Sequence, residues 1–207
     1  LWRLDRPNDN RRASRSAGTD VNPGLCLYIS SPAAPDPAGL VEQAGYETEG
    51  GVVVKKLDDF LATLEENQVW GFRITVNPTY RRTDNDGRKR LLGHVTVAQQ
   101  TQWLLDRAEA NGFQIPMSAE VGGDLPVLEN EAGERVDGKN LLVSLVDRRV
   151  ENFVRVKGED KRPVTLKLAT FQGTLKVTDP RALRSALANG IGRAKGYGAG
   201  LLTLARP

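Results

Sequence analysis

Three observations predict an α+β fold. Short alternating apolar segments recur along the chain, as in Val69-Trp70-Gly71-Phe72-Arg73-Ile74-Thr75-Val76, and that period of two belongs to a strand with one buried face. Two other stretches carry apolar residues at helical spacing behind start signals, Thr96 with Gln99 and Asp179 with Pro180, as a capping box and an N-terminal proline require. Over residues 69 to 204 these elements follow one another as strand, helix, strand, strand, helix, strand, the split β-α-β order of a ferredoxin-like, or RNA-recognition-like, unit. Residues 1 to 76 read strand, strand, helix, strand, the same unit without its first strand and helix. The prediction is therefore two tandem ferredoxin-like domains, an incomplete one over 1–78 and a second over 79–207, with the strand at 69–76 attributable to either.

Each element has a local reason. Leu1-Trp2-Arg3-Leu4 alternates like a strand. Residues 7 to 23, rich in Arg, Ser, Asn and Gly, predict a mobile loop before a strand at Leu25 to Ser30. Pro32, Pro35 and Pro37 mark another connection. Leu57, Phe60, Leu61 and Leu64 share one face of a short amphipathic helix. The strand at 69–76 is stopped by Asn77-Pro78, and Thr83 to Arg88 form the turn of a hairpin ringed by Arg81, Arg82, Arg88, Lys89 and Arg90. From the cap at Thr96, Val97, Thr101, Leu104, Leu105 and Ala108 line one helical face as far as Gly112. Leu141 to Val146 and Phe153 to Lys157 read as strands, Gly158-Glu159-Asp160-Lys161 as a turn, and Val164 to Phe171 as the returning strand. Asp179-Pro180 caps a helix carrying Ala182, Leu183, Ala186 and Leu187, which ends at Asn189-Gly190, and Leu201 to Leu204 is the last strand.

Composition narrows the partners. The 207 residues carry a net charge of +3, but its distribution matters more. Between 148 and 167 seven cations face three acids, and between 176 and 207 six face one, whereas 118 to 140 holds six acids against two cations. Two basic segments near the end of the chain favour nucleic acid over a small acidic ligand. No apolar run approaches the ~18 residues of a membrane helix, so no membrane partner is expected. The single cysteine, Cys26, lies in an apolar run and reads as a buried thiol; with no secretory signal, a cytoplasmic location is expected. One His and one Cys cannot form an ordinary zinc site, the carboxylates at 129 to 137 read as a solvated acidic loop, and no cofactor is expected.

Residues 190 to 200 pack five glycines and two cations between a helix and a strand. Such a loop suits either a main chain that approaches a phosphate or a tight packing turn. It is neither a Walker loop nor a dinucleotide fingerprint: Lys195 is followed by Gly196 rather than a hydroxyl residue, and the glycines follow a helix instead of opening one. The nucleic-acid-binding candidates are Gly192, Arg193, Lys195 and Gly196 in this loop, Arg155, Lys157, Lys161 and Arg162 on the hairpin, and Arg181 and Arg184 on the last helix. Tyr197 suits either stacking on an unpaired base or the core.

The segment Asn189-Gly190-Ile191-Gly192-Arg193-Ala194-Lys195-Gly196-Tyr197-Gly198-Ala199-Gly200-Leu201-Leu202 resembles the terminal glycine-rich signature of the CasE-type CRISPR-associated endoribonucleases, the RNA-cutting subunits of Cascade. Leu1 to Leu4, Trp70 to Pro78 and the helix Gln102-Trp103-Leu104-Leu105 ending at Asn111-Gly112-Phe113 agree with it. The resemblance implies a tandem ferredoxin-like protein, partnered by a CRISPR repeat hairpin and other Cascade subunits, and makes the nucleic-acid-binding candidates RNA-binding ones. It would cut the hairpin at its base without metal or cofactor, by attack of a ribose 2′-hydroxyl on the adjacent phosphate. It also places the family's general acid/base histidine upstream of the position matching Leu1, so it names no catalytic residue here, and residues 1 to 207 alone are expected to leave a repeat hairpin uncut. His94 fits a structural histidine better than a substitute base. Two alternatives stay open: a non-catalytic scaffold that holds an RNA hairpin within a ribonucleoprotein, and a small-molecule enzyme using the loop for a phosphate.

Overall fold

The computed structural model describes residues 1–6, 25–44, 51–117, 141–158 and 160–207. The polar stretch at 7–23 and the acidic one at 118–140 thus fall outside the described residues, which form a mixed α/β fold of antiparallel sheets. Its elements are, in order, β1 (Trp2–Asp5), β2 (Cys26–Ile29), α1 (Ala38–Ala44), α2 (Leu57–Ala62), β3 (Val69–Val76), β4 (Thr79–Thr83), β5 (Lys89–Gly93), α3 (Val97–Ala108), β6 (Phe113–Gln114), β7 (Val143–Lys157), β8 (Asp160–Val177), α4 (Pro180–Asn189) and β9 (Leu202–Ala205). Among the described residues no helix is long and apolar enough to cross a membrane.

The main sheet is ordered β9-β3-β8, with β6 and β7 along the far side of β8. Its strand β3 lies between β8, with Val69 opposite Lys176 and Val76 opposite Ala169, and β9, with Phe72 opposite Leu204. Alternation along β3 sends Phe72, Ile74 and Val76 into one core with Leu104 of α3, Leu183 and Leu187 of α4, and Phe113, Phe171 and Leu175. Each such side chain contributes roughly 1.5–3 kcal/mol by leaving water. Both helices start where the sequence says they should. The Thr96 side chain accepts from the Gln99 N–H in a complete capping box, and Asp179 accepts from the N–H groups of Arg181 and Ala182 beside Pro180.

The opposite face of the sheet is polar. Thr75 and Thr170 share a hydrogen bond of 2.9 Å, and the Arg73 guanidinium donates to Gln172 Oε1 at 3.0 Å. Onto this face packs the two-stranded sheet β1-β2, which buries Arg3 and Asp5 to 2% and 3% exposure. The Arg3 guanidinium donates to both Asp5 carboxylate oxygens at 2.8 and 3.1 Å, to the carbonyls of Arg73 and Leu201 at 2.9 and 3.4 Å, and to Thr203 Oγ1 at 2.9 Å. Its Cζ sits 4.9 Å from the centre of the Tyr28 ring. A charge so enclosed is tolerable only because its donors find acceptors.

Several expectations are corrected. The two strands predicted at 141–146 and 153–157 merge into one, β7, which starts at Val143 and has a register shift between Leu145 and Asp147, and β8 runs on to Val177. The polar pair Arg148-Arg149 does not end the strand, because the ladder continues past it on backbone bonds, a cross-strand bond from Thr165 Oγ1 to Asn152 Oδ1 at 2.8 Å, and a small apolar cluster of Leu166, Leu168 and Phe153. The proline-rich connection contains α1, which starts after Pro37; the Asp36 carboxylate accepts from the Ala38 N–H at 2.9 Å, and the Pro37 carbonyl accepts from Val41. Proline tolerates a first helical turn, so it hid a start rather than excluding one. Helix α2 ends at Ala62, short of Leu64. Cys26 is half-buried, not enclosed. A boundary after residue 78 would cut β3 off from both of its sheet partners.

Because breaking a buried ion pair strands the remaining charge, Arg3→Met should destabilise the protein by about 3–5 kcal/mol. Arg90→Met, which removes an exposed partner of Asp84, should cost less than about 1 kcal/mol. Urea denaturation measures both, and equal midpoints would show that the Arg3 network does not hold the sheets together.

Candidate nucleic-acid interface

Between α4 and β9 the chain makes a compact, largely self-filled turn. Gly192 and Gly198 lie at φ of 82° and 78°, a region that side chains avoid. A Cβ at Gly192 would come 2.8 Å from the Trp103 ring, and one at Gly198 would come 2.6 Å from the Trp2 ring. The Ile191 N–H donates to the Gly200 carbonyl, and the Gly200 N–H donates to the Thr75 carbonyl at 2.7 Å. At these positions, then, the missing side chains admit the protein's own tryptophans and backbone. Gly196 differs: it is exposed and nothing lies within 4 Å of its Cβ position, although its carbonyl accepts from Trp2 Nε1 at 3.3 Å.

The turn presents its two cations unequally. Arg193 is exposed, whereas Lys195 is half-buried and donates to the Asn189 carbonyl at 2.6 Å. Arg193 lines a groove of about 590 Å³ between the turn, β8 and the β4–β5 hairpin, with Tyr80, Leu91, Val95, Lys167 and Tyr197. Lys167 belongs to the site although the sequence marks it only as one more charge. Its backbone N–H donates to Asn77 Oδ1 at 3.2 Å, and its side chain passes within 3.0 Å of the Cβ position at Gly93. That placement depends on how β8 registers against its neighbours, and no local pattern encodes it.

Strand register also sorts the hairpin candidates. Arg155 is directly opposite Arg162, whereas Lys161 is opposite Val156 and so takes the other face. Lys157 is opposite Asp160 at the end of the ladder. Arg162 pairs with Asp160 at 2.8 Å, but both are more than half exposed, and such a pair contributes little. On α4, Arg181 is exposed in the first turn. Arg184 is committed elsewhere: its guanidinium donates to the carbonyls of Leu61 and Leu64 at 2.7 and 2.6 Å, binding α4 to the end of α2. It acts as a packing anchor rather than part of the surface set, and a cation suits the carbonyl end of a helix. Tyr197 is 38% exposed and meets Phe153 at 5.0 Å between ring centroids.

His94 sits between β5 and α3. Its ring meets Tyr80 at 4.8 Å, its carbonyl accepts from Gln100, and its Nδ1 is enclosed without a hydrogen-bond partner among the described residues. Burial, and then the Arg107 charge, push its pKa below the usual 6.5. A ring tilted against a tyrosine, with an enclosed nitrogen, fits a structural role.

A family profile described as CRISPR associated protein matches residues 1–206. The CRISPR-associated endoribonuclease Cse3 of Thermus thermophilus is 29% identical over 158 residues, covering 76% of this chain and 65% of that protein. The chain thus spans just under two thirds of that curated relative. Thermus thermophilus Cse3 bound to an RNA representing a pre-cleavage complex shares the fold, with a TM-score of 0.57 at 23% identity over 99% of this chain and 77% of that one. A chain of a CRISPR RNA-guided surveillance complex in its pre-nicking state matches with a TM-score of 0.58 at 25% identity, over 100% of this chain and 76% of that one.

Two outcomes follow from the geometry. Gly192→Ala, which meets both a left-handed backbone and Trp103, should lower stability by about 1–3 kcal/mol, whereas Gly196→Ala should stay within about 0.5 kcal/mol; denaturation midpoints that move together would refute this packing account. In an NMR titration the lone histidine should show a midpoint below 6.5. Since the unfolded chain then binds the proton more readily, His94 supports the fold fully above pH 6.5 and loses that support as pH falls toward its folded value.

Proposed function

Since the chain belongs to the CRISPR-associated protein family that matches it from residue 1 to 206, we propose that it binds CRISPR repeat RNA folded as a hairpin and serves its metal-independent endoribonucleolytic processing to mature crRNA. The observation that carries this reading is the family match over nearly the whole chain, joined by a relative that is itself named an endoribonuclease. The likeness to a chain of an RNA-guided surveillance complex supports other Cascade subunits as partners.

The architecture we propose is a tandem of ferredoxin-like units. Strand order β9-β3-β8-β7, with α3 and α4 as the two crossovers, supports a complete unit whose boundary lies ahead of Val69 rather than after residue 78. Strands β1 and β2 with the helices before β3 supply the other, incomplete unit. RNA duplexes bury their major-groove base edges and offer phosphates, 2′-hydroxyls and shape instead. A rigid cationic surface is the complement of that substrate. We assign the grip to Arg155 and Arg162 on one face of the hairpin, Lys161 on the other and Lys157 at its end, Arg181 at the start of α4, and Arg193 with Lys195 at the glycine-rich turn. Gly196 leaves the main chain open for close approach, and Gly192 shapes the turn around Trp103. In this reading the ribose 2′-oxygen, giving up its proton, attacks the adjacent phosphorus while the bond to the 5′-oxygen of the next nucleotide breaks and that oxygen takes a proton, leaving a 2′,3′-cyclic phosphate and a 5′-hydroxyl. The chain's described residues hold and orient the RNA for that step. No described residue is assigned as the general acid or base.

Binding of a repeat hairpin, measured by fluorescence anisotropy across a salt series, tests the reading. Affinity should fall log-linearly with salt, and Arg193→Ala combined with Lys195→Ala should flatten the slope by about 0.9 for each phosphate no longer neutralised. An unchanged slope would remove both side chains from the interface, and salt-insensitive binding would favour a small-molecule site.

A further inference from the structure

Among the described residues, the β4–β5 hairpin is a strongly charged element that the hairpin-RNA reading leaves without work. It forms its own two-stranded sheet, apart from the main one. Five cations, Arg81, Arg82, Arg88, Lys89 and Arg90, face two acids, Asp84 and Asp86, and all five are exposed. Register sets Arg82 directly opposite Arg90, with Lys89 opposite Thr83 one step nearer the turn. Like charges so opposed weaken a ladder. Among the described residues Asp84 neutralises Arg90 at 2.6 Å, while Arg81, Arg82, Arg88 and Lys89 have no acid partner. A two-stranded ribbon is marginal to begin with, so the array is intrinsically unfavourable until a polyanion lies along it.

At the root of this ribbon is the groove lined by Tyr80, Leu91, Val95, Lys167, Arg193 and Tyr197. The two tyrosines keep 40% and 38% of their surface exposed, and each is backed by another ring, Tyr80 by His94 at 4.8 Å and Tyr197 by Phe153 at 5.0 Å. Aromatic platforms beside cations suit an unpaired nucleotide, whose base faces are free to stack. A paired base offers no such face, because its neighbours in the stem already cover it. Among the groove's lining residues there is no acid, so a phosphate meets Lys167 and Arg193 without an opposing charge.

We propose that the groove and the β4–β5 ribbon together hold a single-stranded RNA segment continuing from the base-paired stem, with an unpaired base against Tyr80 or Tyr197 and the following phosphates along Arg81, Arg82, Arg88 and Lys89. The proposal rests on the RNA reading above and deepens it: the ligand is a stem with a single-stranded extension rather than a stem alone.

Anisotropy with three RNAs tests it: the repeat hairpin alone, the same hairpin with a short oligouridine tail at its 5′ end, and one with the tail at its 3′ end. One tailed RNA should bind more tightly than the blunt hairpin, with a salt slope steeper by about 0.7 for each added single-strand phosphate contact. Arg82→Ala with Arg88→Ala and Lys89→Ala should return that RNA to the blunt hairpin's affinity and slope while leaving the blunt hairpin unaffected. Tyr80→Ala should remove about tenfold of the tail's gain, and Tyr80→Phe should retain it. If neither tail adds affinity, or if the triple variant weakens all three RNAs equally, the ribbon attracts RNA without selecting an extension and the proposal is overturned. If the wild-type chain binds none of the three, the RNA reading itself fails and this proposal with it.

Discussion

The guanidinium of Arg3, enclosed between two sheets, is the interaction on which the arrangement turns. A buried cation must satisfy its donors within the protein, and here the acceptors come from Asp5 on its own strand and from Arg73, Leu201 and Thr203 on or beside β3 and β9. One side chain thereby sets the distance and rotation of β1-β2 relative to the main sheet. It also explains why that sheet has one apolar face and one polar face: Phe72, Ile74 and Val76 are sealed beneath helices, while Arg73, Thr75, Thr170 and Gln172 receive a charged strand. Replacing the network by hydrocarbon of the same volume need not lower stability. What the network adds is a single permitted docking of the two sheets.

That docking governs the glycine-rich turn. Leu201 follows it and accepts from Arg3, Trp2 from the neighbouring position on β1 covers Gly198, and Trp103 from α3 covers Gly192. The turn is therefore clamped from the β1 side and the helix side at once, with Gly200 bonded to Thr75 of β3 beneath it. Its glycines supply space for packing, and a turn held on both sides presents Arg193 at a set position. Rigid presentation of a charge reduces the ordering cost of binding a polyanion.

The β7–β8 hairpin obeys the opposite constraint. Where it crosses the sheet its residues are sealed, with Leu145, Ala169 and Phe171 in the core, but farther out Val150, Val154 and Val156 are more than half exposed. Backbone pairing carries the ladder to Lys157 and Asp160, helped part of the way by the Thr165–Asn152 side-chain bond. Such a ribbon carries Arg155 and Arg162, paired across the ladder and both exposed, away from the buried part of the sheet.

What depends on near neighbours along the chain is readable from the residues alone. Helix starts at Thr96 and Asp179, the turn at Asp84 to Gly87, the alternation of β3 and the glycine-rich signature that identifies the family were all legible, because caps, turns and side-chain period act over a few residues. Long-range packing, and no local pattern, settles which glycines are filled by tryptophan, that Arg184 serves α2 rather than the surface, that Lys161 and Arg162 take opposite faces, and that Lys167 and Tyr80 share a groove with Arg193. Those facts rest on strand register and on pairings between residues as far apart as 3 and 203. A one-residue slip reverses every side chain on a strand, and no local pattern records which register the packed core selects.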